Sequence, residues 1–141
     1  MNCRKGQALV EMAIASLFLL LDVVGGIIDF GFAFNNLVTL QQIANDAAQF
    51  AAEGKVSGTT PSTSDVTNLV NARKPAWWSG QITSTLTQAT TSDPGAATVK
   101  ILVLSFVSPM YTPFYQTILG SGSGTAGLDL SVKAAFQVPQ R

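Results

Sequence analysis

Arg4, Lys5, Gly6, Gln7 and Glu11 are the residues whose types and spacing stand out: a cationic pair, a glycine, and a carboxylate five residues on, directly before an apolar run. Gly6 has no side chain, so its backbone can enter a narrow protease cleft. Arg4 and Lys5 form a short cationic leader of the kind that stays on the cytoplasmic side of a membrane. A carboxylate carried into apolar surroundings is costly alone and tolerable when paired, so Glu11 calls for a cation. The positive end of a helix macrodipole also favours a carboxylate there.

Other chemistry is poorly supplied. The chain has no histidine, which excludes a Ser-His triad, and Cys3 is the single cysteine, which excludes an intramolecular disulfide and a Cys/His zinc site. Of the carboxylates, Glu11, Asp22, Asp29, Asp46 and Glu53 precede residue 54; only Asp65, Asp93 and Asp129 follow it, and nothing pairs them for acid–base work. Gly120 to Gly127 is Ser/Gly linker chemistry rather than a phosphate loop. Net charge is zero with no basic patch, so no nucleic acid is expected. The expectation is a non-enzyme with no cofactor, no metal and no small-molecule substrate.

The elements that position Gly6 and Glu11 follow from the pattern behind them. The 141 residues are 47% hydrophobic and 11% charged, and the apolar ones concentrate before residue 53. No proline occurs before Pro61, so Gln7 to Glu53 reads as one helix of about 45 residues, roughly 68 Å at ~1.5 Å per residue. A bilayer core is about 30 Å thick, and a helix crosses it in about 20 residues. The helix therefore divides into a membrane-spanning half, 7–34, and an amphipathic continuation, 35–53. In the second half Leu37, Leu40, Ile43, Ala44, Ala47 and Ala51 form an apolar stripe, opposite Asn36, Gln42, Asn45, Asp46 and Gln49. Gly54 is placed to end it. Residues 1–6 are then a leader, and 55–141 a small head outside the cytoplasm.

In the head, Ser64 is expected to cap a short helix from Asp65 to Ala72. Gln81–Gln88, Ala97–Val107 and Leu128–Val138 read as strands, the middle one apolar enough to be buried on both faces. Ser92–Gly95 reads as a turn. The fold class is α+β: a long N-terminal helix packed on an antiparallel three-stranded sheet. One of Trp77 and Trp78 is expected in the core and the other partly exposed. Tyr111, Phe114 and Tyr115, around Pro109 and Pro113, are expected to cover the sheet.

Glu11, Asp22, Asp29 and Asn36 follow one another at intervals of 11, 7 and 7 residues. At about 100° per residue they fall within about 20° of one line along the helix. An aspartate at the bilayer centre costs about 2.5–3.5 kcal/mol, so Asp22 and Asp29 should face protein. Gly25 and Gly26 would let neighbouring helices approach closely. Asp29 also lies near enough to the outer interface to be solvated instead.

A cationic leader, glycine, and glutamate five residues on, directly before an apolar helix, resembles the prepilin arrangement. More narrowly, Gly6-Gln7-Ala8-Leu9-Val10-Glu11, Gly26-Ile27-Ile28-Asp29-Phe30-Gly31, the alanine-rich 44–52 and the C-terminal strand pattern are similar to the TadE-like minor pilins of the tight-adherence (Flp) pilus system. The resemblance implies cleavage by prepilin peptidase after Gly6 and pairing of Glu11 with a neighbour's N-terminal amine. It also implies partners among other pilin-like subunits, an inner-membrane pilus platform and the lipid bilayer. The expected location is the bacterial inner membrane, single pass, with the N-terminus cytoplasmic and the head periplasmic or extracellular. Two alternatives stand beside it: a pseudopilin of a type II secretion system, and a signal-anchored periplasmic domain that is never cut.

Overall fold

The computed structural model describes residues 3–53, 61–90, 98–112, 115–117 and 127–138. Gly54, most of the 55–63 loop, the Ser92–Gly95 turn, Pro113, Phe114 and residues 118–126 lie outside the described residues. Helix α1 spans Cys3–Glu53, 51 residues without a break. It starts ahead of the Gln7 expected from sequence and runs through the Gly6–Gln7 bond, since one glycine costs a helix only about 1 kcal/mol. Its most apolar 18-residue window has a mean hydropathy of 2.1, enough to cross a membrane, and only 6% of that window is buried. A core helix of a soluble protein would be mostly covered; this one presents its apolar surface outward.

The chain divides into two compact units, 1–33 with 109–128 and 34–108 with 129–141. In the second unit the rest of α1 joins helix α2 (Thr63–Arg73) and strands β1 (Thr83–Thr90), β2 (Thr98–Pro109) and β3 (Gly127–Gln137). The sheet order is β1-β2-β3, and β1 pairs antiparallel with β2 in a register that sets Leu86 opposite Leu102. Val138 closes the other edge by donating its N–H to the Thr98 carbonyl at 2.8 Å. The expected class, a long helix on an antiparallel three-stranded sheet, is the one observed.

The core is built from matching stripes. Leu40, Ile43, Ala44, Ala47, Ala48 and Ala51 are buried on α1, and Leu102, Leu104, Phe106, Leu130, Val132 and Ala134 are buried on the sheet. Four alanines in two turns keep the helix surface low, so the sheet can approach closely. β3 alternates as expected, with Leu130, Val132 and Ala134 inward and Asp129, Ser131 and Lys133 exposed. β2 departs from expectation: Leu102, Leu104, Phe106 and Ser108 are buried, but Ile101, Val103 and Val107 on the reverse face are only half-buried. The central strand of an antiparallel sheet needs only one covered face, and α1 covers one.

Two polar details also differ. Asn36, expected on the solvated face, is buried: its Nδ2 donates to Ser108 Oγ at 2.9 Å and its Oδ1 accepts from Trp78 Nε1 at 3.0 Å. Trp78 in turn stacks on Phe106, ring centroids 4.1 Å apart. Trp78 is thus the core tryptophan, and Trp77 the exposed one. The cap of α2 is Ser62, not Ser64. Ser62 Oγ accepts from the Asp65 N–H at 3.3 Å while the Ser62 N–H donates to Asp65 Oδ2 at 2.9 Å, a reciprocal capping box that only the three-residue spacing permits. α2 buries Val66 and Val70, and Thr67 Oγ1 lies 3.0 Å from Ser84 Oγ of β1. The Arg73–Asp46 ion pair, 2.9 Å and about half exposed on both sides, is worth at most about 1 kcal/mol.

Leu104→Ala should lower the unfolding free energy by about 2–5 kcal/mol, because its buried site cannot refill. Ser62→Ala should cost about 1 kcal/mol. Both are measured on full-length protein in mild detergent by denaturant titration of tryptophan fluorescence. The hydrogen bonds from the Ser62 hydroxyl and N–H hold the Asp65 carboxyl below its ordinary value of 3.8. The box's charge-dependent contribution is therefore complete above that value and is lost as pH falls through the lower folded one. Ser62→Ala should flatten the stability–pH curve in that acid range.

Candidate processing and assembly site

The five N-terminal candidates lie on α1. Arg4 and Lys5 are in its first turn, and Gly6 is in open space, where a Cβ would meet nothing within 4 Å. Gln7 and Glu11 are exposed one helical turn apart, and Gln7 Nε2 donates to Glu11 Oε1 at 3.1 Å. Among the described side chains the partner of Glu11 is thus a neutral amide rather than a cation. From Leu9 onward the helix stays bare: Leu9 is 70% exposed and Phe18 68%.

Asp22 and Asp29 differ in their surroundings. Asp22 is half-buried, and among the described residues no hydrogen bond reaches its carboxylate; its backbone carbonyl accepts from Tyr115 Oη at 3.2 Å. Asp29 is 2% exposed and is supplied with donors from its own chain. The Tyr111 N–H donates to Oδ1 at 2.8 Å, the Thr112 N–H to Oδ2 at 3.1 Å, and the Thr112 hydroxyl to Oδ2 as well. Asp29 is therefore neither solvated nor waiting for a partner helix to supply its hydrogen bonds.

Gly25 and Gly26 make this arrangement possible. Both are buried, and a Cβ would stand 2.9 Å from Thr112 Cγ2 at Gly25 and 2.6 Å from Tyr115 Oη at Gly26. The pair thus forms a shallow seat in the helix surface that the chain's own Thr112 and Tyr115 fill. Ring contacts flank it: Phe30 meets Tyr115 edge-on at 5.8 Å, and Phe32 meets Tyr111 at 5.1 Å. Gln116 ties the segment to itself, its N–H donating to the Thr112 carbonyl at 3.1 Å and its Nε2 to the Met110 carbonyl at 2.7 Å. Tyr111 and Tyr115, expected over the sheet, lie instead on the first half of α1. Thr112 was not singled out from sequence at all. The available signal was the absence of any charge between Lys100 and Asp129, which suits that stretch to an apolar helix.

Among the described residues no three His, Cys, Asp or Glu side chains converge as metal ligands. What the geometry defines is a long apolar helix, a candidate membrane span, with exposed N-terminal turns and an aspartate clamped by the chain's own backbone, beside a small α+β unit.

A family model described as TadE-like protein matches residues 6–52, about a third of the chain. The matched segment begins at Gly6, ends at Ala52, and contains Glu11, Asp22, Gly25, Gly26 and Asp29. It is the family resembled in the sequence, and the likeness lies within α1. No curated protein and no solved structure matches the chain.

Gly26→Ala should push Tyr115 off its seat and loosen the 109–117 segment, read as faster amide hydrogen exchange at Tyr111 and Thr112. Tyr115→Phe removes the Oη atom at 2.6 Å and leaves the ring carbon at 3.1 Å, so the double variant should recover part of the protection. Equal exchange in all three proteins would show that the seat does not hold the segment.

Proposed function

We propose that this protein is a minor pilin or pseudopilin. Prepilin peptidase cuts it after Gly6, and it then takes part in building a Tad/Flp-type pilus, with adhesion or secretion as the downstream process. The observation that carries this reading is the exposed Gly6-Gln7…Glu11 turn set directly before a bare apolar stretch. A protease needs extended backbone, and Gly6, within the first two turns of α1, is the residue that unwinds there at least cost. Arg4 and Lys5 keep this end cytoplasmic, residues 7–34 cross the inner membrane, and 35–53 with the head lie on the periplasmic or extracellular side.

Each acidic residue has its part in the proposal. Cleavage removes the leader cations and creates the Gln7 amine. Glu11 then exchanges its weak contact with the Gln7 amide for the amine of a neighbouring subunit, a charge-assisted bond that is stronger at low dielectric. Asp22, lacking a donor to its carboxylate among the described residues, faces another helix of the assembly or its membrane platform. Asp29 contributes through the segment it holds.

The N-terminus of protein recovered from membranes of cells that carry the peptidase decides the first step. Gln7 is the expected first residue; Met1 would overturn the proposal. For the second, Glu11→Ala and Asp22→Leu should each insert normally, with Asp22→Leu inserting more favourably by about 3–4 kcal/mol on a residue scale. Both should be depleted from sheared pili or from platform pull-downs. Wild-type incorporation of both variants would remove the acidic residues from the assembly step.

A further inference from the structure

We propose that residues 109–112 and 115–117 form a collar at the membrane interface, seated with Phe30 and Phe32 at headgroup level on the outer side of the bilayer. This rests on the membrane-spanning reading of α1 given above, and it concerns a part of the chain far from that span in sequence.

The register of the helix comes first. Gln7 to Ile28 is 22 residues, 28 − 7 + 1, about 33 Å of helix, against a hydrocarbon core of about 30 Å. With Gln7 at the inner edge, Asp29 arrives at the outer edge, and so do the groups clamped to it. The surface there has the composition of an interface. Phe30 is 48% exposed, Phe32 50% and Tyr111 59%, and no charged residue occurs between Lys100 and Asp129. Tyr111, with an apolar ring and a polar hydroxyl, suits the zone where hydrocarbon gives way to headgroups, and Phe30 and Phe32 supply the apolar side of that zone.

The backbone supplies an independent line. Irregular chain survives at membrane depth only if its polar groups are satisfied within the protein. The Tyr111 and Thr112 N–H groups are given to Asp29, the Gln116 N–H to the Thr112 carbonyl, and the Met110 carbonyl to the Gln116 amide. Tyr115 sends its hydroxyl toward the deeper Asp22 carbonyl rather than toward water. A loop made for bulk solvent has no need of this closure. The same clamp lets Asp29 sit at the edge of the hydrocarbon with its carboxylate hydrogen-bonded rather than bare. The occupant of the exposed aromatic surface is thus the lipid headgroup–acyl boundary itself.

Spin-label accessibility tests this on full-length protein in vesicles of zwitterionic and anionic phospholipid. Single cysteines replace Tyr111, Phe32, Leu20 or Gln42 in a Cys3→Ser background. Labels at Tyr111→Cys and Phe32→Cys should report shallow burial, within about 5–10 Å of the headgroup boundary. Their access to a water-soluble nickel chelate should fall several-fold below that at Gln42→Cys, while Leu20→Cys reads deep and oxygen-rich. Chelate access at Tyr111 and Phe32 equal to that at Gln42, with Leu20 still deep, overturns the collar and leaves the membrane span standing. Dipolar broadening at Tyr111 that vanishes on dilution with unlabelled protein overturns it in favour of a second copy as occupant. An aqueous signal at Leu20 overturns the span and the collar together.

Discussion

A carboxylate on an apolar helix must be given donors, and the way Asp29 is given them organises the first unit. An aspartate at the centre of a bilayer costs about 2.5–3.5 kcal/mol, whereas each hydrogen bond to a charged group is worth about 1.5–3 kcal/mol. Two N–H groups and a hydroxyl are thus of the right size to offset the charge wherever water is scarce. They come from Tyr111 and Thr112, so one side chain on α1 fixes a segment more than eighty positions away in sequence. Gly25 and Gly26 then have a specific task. Without Cβ atoms they let Thr112 and Tyr115 lie against the helix, where any larger residue would lift the donors away from Asp29.

The second unit meets the same constraint with neutral groups. Asn36 lies on the α1 face that turns to the sheet, and its amide is used at both ends, donating to Ser108 and accepting from Trp78. A buried amide left unpaired would cost about 1–3 kcal/mol, and an apolar residue would lose the bond that orients Trp78 over Phe106. Around this polar pin the packing is ordinary: small alanines on the helix, branched and aromatic residues on the sheet.

What was legible in the sequence is what periodicity encodes. The long helix, the central position of β2 and the inward face of β3 each follow from spacing over ten or more residues. The departures arise where a single tertiary partner outweighs the pattern. Asn36 sits beside polar neighbours in the heptad arithmetic, yet Trp78 and Ser108 draw it inward. Both Ser62 and Ser64 precede α2, but only Ser62 stands three residues before Asp65. Tyr111 and Tyr115 look like a cover for an apolar strand, yet the nearest unmet demand for hydrogen bonds lay on the helix. The N-terminal pattern was the most visible in the sequence, because its residues are contiguous; its processing is a proposal. The Asp29 clamp was the least, because its two halves are joined only by folding.

The polar line Glu11, Asp22, Asp29, Asn36 takes on a different meaning once partners are assigned. A uniform seam would present four polar residues to neighbouring subunits. Instead Asn36 is consumed by the second unit and Asp29 by the first, each within its own contacts. Glu11 and Asp22 are left, 11 residues or about 16 Å apart along the inner part of the span. In the pilin reading, intersubunit electrostatics therefore concentrate toward the cytoplasmic leaflet, where cleavage creates the Gln7 amine. A charge pair formed there is available only after the leader has gone. The uncut chain carries its cations at Arg4 and Lys5, outside the hydrocarbon, whereas the cut chain carries one at position seven, one helical turn from Glu11. In that reading, processing would move a positive charge to the place where a carboxylate in lipid most needs one, and so tie the timing of assembly to the cleavage itself.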